Sequence, residues 1–174
     1  MRNVPANQGQ SDLAEQIRTN VAFEQMVLSV LTGAFVGGAA TLLFGLGVAL
    51  VSGTFSFSVV LSVLLNTVLV SFLIFLVGFF ASLVFGAPLF SALERSKRRN
   101  LWPYLGAALA VALIVVSFMQ GGLPLADDFS IGLVLAVILP AIVIAITFVR
   151  FMQPHWRAAE RAEEAAQDKI LRLH

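Results

Sequence analysis

Between Gln25 and Leu93 the chain carries not one Asp, Glu, Lys, Arg or His. As one helix that run would be about 100 Å long at ~1.5 Å per residue, whereas a bilayer core is about 30 Å thick. The run must fold back, and SGTFSFS, Ser52 to Ser58, is where Gly53 and a cluster of hydroxyls break the apolar pattern. Two further uncharged runs follow, Asn100 to Ala126 and Phe129 to Val149, and QGGLPLADD between them holds the breakers Gly121, Gly122 and Pro124. The pattern predicts an all-α fold, an integral membrane four-helix bundle of two transmembrane hairpins, with spans near residues 26–51, 58–86, 101–120 and 130–151. The alternative is a half-inserted, re-entrant segment at one of the two shorter runs.

Flanking patterns divide the rest. Residues 1–25 form an N-terminal tail in which 1–10, polar and holding Pro5 and Gly9, are expected to be disordered. Ser11 is placed to cap a short helix, with Asp12 and Glu15 in its first turn and an apolar stripe at Leu13, Ile17 and Val21. Residues 152–174 form a second amphipathic segment after Pro154: Ala159, Ala162, Ala166, Ile170 and Leu173 share one face, and Asp168 and Arg172 pair at i,i+4 on the other. A stripe so rich in Ala holds lipid weakly and suits packing on another helix. The polar start MRNVPANQGQSDLAEQ does not read as a cleaved signal peptide, so the first span is expected to stay as an anchor.

Composition sharpens this picture. Of 174 residues 59% are hydrophobic and 12% charged, against roughly 25% charged in soluble domains, so a soluble fold of this length cannot hide its apolar surface. The chain has no Cys, which removes disulfides, thiolate metal sites and cysteine nucleophiles. A net charge of +1 says little; the placement of charge says more. All 11 Lys and Arg residues fall on one side of the four-span layout: Arg2 and Arg18, the patch Arg95, Lys97, Arg98 and Arg99, then Arg150, Arg157, Arg161, Lys169 and Arg172. Positive residues near span ends stay cytoplasmic, so both termini and the central loop are expected inside. The central patch is a topology anchor and a partner for anionic lipid headgroups. Trp102, Tyr104 and Trp156 sit at the same boundary, where amphipathic rings suit the headgroup region. The residue style suggests a bacterial inner membrane.

Several features are candidates for function. In span one Gly33, Gly37, Thr41, Gly45, Ala49 and Gly53 recur every fourth residue, a row that allows close helix approach within the chain or to a partner. Gly38 and Gly47 lie off that row. In span two Ser58, Ser62 and Asn66 share the same spacing, with Thr67 beside them. Asn66 needs a partner in hydrocarbon, and Thr41 is the expected one; the functional reading is a polar lining for a small solute. Gly78, Ser82 and Gly86 form a second small-residue row. Pro140 removes a backbone donor and meets the carbonyl of Ala136, so a kink is expected in span four. Asp127 and Asp128 suit a helix cap better than a cation site.

The three uncharged runs contain no proton carrier. His155 and His174 lie in the tail, and Met26, Met119 and Met152 sit at span ends, so a cofactor such as haem has no evident axial ligand and none is expected. No catalytic or nucleotide motif occurs, and no metal or catalytic residue is assigned. The expectation is a non-catalytic membrane protein, an accessory or scaffolding subunit that packs in a larger complex or homo-oligomer, with no nucleic-acid partner. A small channel or transporter using the polar face of span two is the alternative, and a membrane enzyme is the third class.

The orientation has a direct test. Reporter fusions after Gly53 and Pro124 should read as external, and fusions after Arg98 and His174 as internal; any one reporting the opposite side overturns the four-span order.

Overall fold

The computed structural model of the chain describes residues 6–96, 100–120 and 131–171. Lys97, Arg98, Arg99, Asp127 and Asp128 fall outside them, as does the QGGLPLADD turn apart from Gln120. The described elements are all helical: α1 (Ala6–Val51), α2 (Phe57–Ala81), a π-helical turn (Ser82–Gly86), α3 (Ala87–Arg95), α4 (Leu101–Gln120), α5 (Ile131–Leu133), a second π turn (Val134–Ile138) and α6 (Leu139–Leu171). Four stretches are long and apolar enough to cross a membrane: Thr19–Val51, Phe57–Glu94, Leu101–Gln120 and Ile131–Arg161, spans one to four below.

The terminal amphipathic segments are not separate elements. α1 starts at Ala6 and runs into span one, so Ser11 is inside the helix rather than capping it. α6 passes through Pro154 and continues to Leu171. Pro154 is exposed, and so is Arg150, whose carbonyl loses its helical donor there.

The turn between spans one and two follows from local chemistry. Gly53 takes φ +66, a left-handed conformation that side-chain-bearing residues resist. Thr54 N–H then donates to Ala49 O at 3.1 Å and Gly53 N–H to Leu50 O at 3.3 Å, which satisfies the last carbonyls of α1 in a Schellman cap. Ser56, extended at φ −142 and ψ 162, opens α2 and accepts from Val59 N–H.

Both prolines near the ends of spans two and four follow a widened turn by one residue. Ala87 N–H bonds Ser82 O five residues back, ahead of Pro88. Leu139 N–H bonds Val134 O, ahead of Pro140. The carbonyl that each proline ring would strike, at Val84 and Ala136, lies inside the π turn. Span four thus accommodates Pro140 through a π bulge centred on that carbonyl.

Helix order across the bundle is two, one, four, three. α1 packs along α2 on one side and α6 on the other, and α4 packs on α6. Span three meets span two at the Ser82–Gly86 turn and makes no comparable contact along α2. The row of small residues in α1 makes this order possible. A Cβ on Gly33 would collide with Ile144 and lie 3.1 Å from the carbonyl of Pro140, both in α6. Gly37 faces Pro140 and Ile74 together, Gly38 leaves room for Ser71, and a Cβ on Gly45 would come within 2.9 Å of Val63. The row therefore serves two neighbours and not one flat face. A step of four residues advances about 40° around a helix of 3.6 residues per turn, so the row winds from span four to span two. Ala49 is buried, whereas Gly53 meets no side chain and acts only as the cap. Gly47 points into open space.

Most buried side chains gather at the basic end, where span two runs into the central loop. Ala22, Met26, Tyr104, Phe148, Met152 and Trp156 form one cluster there, with Leu89 and Phe90 against it. Gly33→Ala should lower stability by about 1–3 kcal/mol, because the Pro140 carbonyl is backbone and cannot swing aside. Gly47→Ala should leave stability unchanged or raise it. Thermal unfolding in mild detergent separates the two; equal melting temperatures would remove the glycine seam from the account.

Candidate functional site: a lateral apolar cleft and a polar stripe

Because spans two and three diverge, the bundle is open along one side. A cleft of about 760 Å³ lies between them, floored by spans one and four and lined by residues such as Phe23, Met26, Ile74, Val111, Phe118 and Ile144. Its walls are almost wholly apolar. Ser29, at its floor, is fully buried, but its Oγ is committed to Gln25 O at 2.6 Å. The cleft thus has shape and no free polar anchor from that residue. Its largely apolar lining suits hydrocarbon or an apolar helix face.

The second feature is the Ser58, Ser62 and Asn66 stripe. All three residues are exposed on span two, away from the seam with span one. Thr41 Oγ1 donates to Gly37 O at 2.8 Å, and the expected bond from Asn66 to Thr41 is not made. The reason is angular. The face of α2 turned to α1 carries Val63, Thr67, Ser71 and Ile74, which sit against the α1 glycines, and Asn66 is about 100° from Thr67. Thr67 is the residue that enters the seam. Its methyl approaches Gly38, and its Oγ1 is buried without a hydrogen-bond partner. The polar stripe and the apolar cleft are therefore different surfaces, and the stripe lines no path inside a single bundle.

The aromatic residues at the basic end also separate. Trp102 is 77% exposed, while Tyr104 and Trp156 are buried. The Tyr104 ring stacks on Trp156 with centroids 6.3 Å apart and tilts against Phe148 at 5.4 Å. Of the three, only Trp102 is exposed; Tyr104 and Trp156 join spans three and four in the core. Pattern reading groups the three by depth along the chain, but helix rotation assigns them to different faces. Of the basic patch, Arg95 closes α3.

Among the described residues no three His, Cys, Asp or Glu side chains come together in a way that could hold a metal ion. Sequence reasoning missed the cleft and the π turns. Pro88 and Pro140 within apolar runs were the available signal for the turns, and nothing local announced the cleft.

The fold thus defines an all-helical protein with four helices apolar enough to span a membrane and one open side. Compared with family models, characterised proteins and solved structures, the chain matches none.

The chain has two tryptophans, so their fates can be read singly. With Trp102→Phe, emission from Trp156 should be blue-shifted and shielded from acrylamide. With Trp156→Phe, emission from Trp102 should be red-shifted and quenched several-fold more. Equal quenching would contradict the stacked Tyr104–Trp156 core.

Proposed function

We propose that the chain is a non-catalytic integral membrane protein, an accessory or scaffolding subunit that packs in a larger membrane complex or as a homo-oligomer. It sits in a bacterial inner membrane with both termini and the basic loop on the cytoplasmic side, where the Lys and Arg residues engage anionic headgroups. The observation that carries this reading is the unclosed bundle. Spans one and four hold each other through glycines, while span two has no buried residue at all. A self-sufficient four-helix bundle closes its fourth side; this one leaves an apolar cleft and a polar stripe for other helices or lipid.

The alternative reading is a small channel or transporter formed by an oligomer. Because Ser58, Ser62 and Asn66 face outward, a polar path requires several copies arranged around them. Loss of flux through reconstituted vesicles on Asn66→Leu would support that form.

Extraction in native lipid followed by mass spectrometry tests the subunit reading. The expected result is the chain in fixed stoichiometry with a second protein or with itself. A monodisperse monomer, whose deletion leaves every other membrane complex intact, would overturn it.

A further inference from the structure

We propose that span two is the interface between two copies of this chain, paired in parallel about an axis along the membrane normal, with their Asn66 side chains hydrogen-bonded to each other. The proposal rests on the reading of the chain as a membrane subunit and names its partner.

The first observation is the state of Asn66. It lies about 14 Å along the helix from Phe57, close to half of a ~30 Å hydrocarbon core. It is exposed and makes no hydrogen bond among the described residues. Two hydroxyls in the spans solve the same problem alone, by donating to the carbonyl four residues back: Thr32 to Leu28 O and Ser117 to Leu113 O, each at 2.8 Å. Asn66 has made no such local bond. An amide left bare in hydrocarbon costs several kcal/mol, so a partner from outside the bundle is required.

The second observation is the pattern continuing from Asn66. Ser62, Asn66, Leu69, Leu73, Leu76 and Phe80 alternate steps of four and three. All six are exposed, and Leu69 and Phe80 are each 57% so. That is a heptad seam, the spacing of left-handed helix pairs, and it lies outside the contact with the glycines of span one, with Leu73 at the edge of the lateral cleft. One amide in an otherwise apolar seam is the device that sets register and partner number in coiled coils.

A second copy is the occupant these features select. Copies inserted by the same rule share one orientation, so a parallel pair brings Asn66 to Asn66 at one depth without further adjustment. The amide carries its own complement: each N–H donates to the other's carbonyl oxygen. A foreign helix would need a polar group at the same depth.

The absence of native cysteine makes the test clean. Single-cysteine variants Ser62→Cys and Leu69→Cys are treated with a lipid-permeant oxidant in membranes at low protein density, with Val68→Cys as an exposed control about 100° from Leu69. Disulfide dimers are expected for the first two and not for the third. In parallel, dilution in lipid with single-molecule counting should show Asn66→Leu weakening the pair about 3- to 10-fold, with Asn66→Gln restoring part of it. Equal crosslinking of Val68→Cys, no crosslinking at Ser62 and Leu69, or unchanged pairing of Asn66→Leu overturns the proposal. If the chain then co-purifies with another protein in fixed ratio, the subunit reading stands without it. If it is a lone monomer, both fall.

Discussion

The arrangement depends on how closely α1 lets its neighbours approach. Apolar helices in an apolar medium gain nothing from burying more hydrocarbon, so contact must come from dispersion at short range. Gly33, Gly37, Gly38 and Gly45 remove the side chains that would hold the backbones apart, and Ile144, Pro140, Ser71 and Val63 occupy the space. Because the glycines wind around α1, one helix grips two others, and spans one and four become the centre of the bundle.

Everything peripheral follows from that centre. Span two attaches through the glycine seam, the Ser82–Gly86 turn and α3, and span three packs on span four and the same turn. The aromatic and methionine cluster closes the basic end, with Phe90 edge-on to Phe148 at 6.0 Å. Among the described residues no comparable cluster closes the other end, where Leu50, Val51 and Phe57 are largely exposed.

Polar groups show the same economy of position. Ser29 and Thr41 are satisfied by their own helix and serve packing. Thr67 brings a methyl into the seam and leaves its hydroxyl bare. Asn66, one residue earlier, makes no hydrogen bond among the described residues. A polar side chain at a given depth is thus structural or outward-facing according to a rotation of about 100° per residue, with no change in composition.

Charge gaps along the chain were enough to delimit the four apolar helices, because ionised side chains are costly in hydrocarbon and mark where an apolar passage can begin and end. Gly53 as a turn and the special role of Pro140 were also legible, since each acts through its own backbone. The continuity of the C-terminal segment with span four through Pro154 was not, because weak amphipathic patterning does not say where one helix stops. Which face each residue presents was decided only in three dimensions. The small-residue row was visible as spacing, but its division between two neighbours depends on helix pitch and on where spans two and four stand. The same holds for Trp156, hidden against Tyr104, and for Asn66, turned away from Thr41: periodicity ranks residues by position along a helix, and only the packed neighbours say what each of them touches.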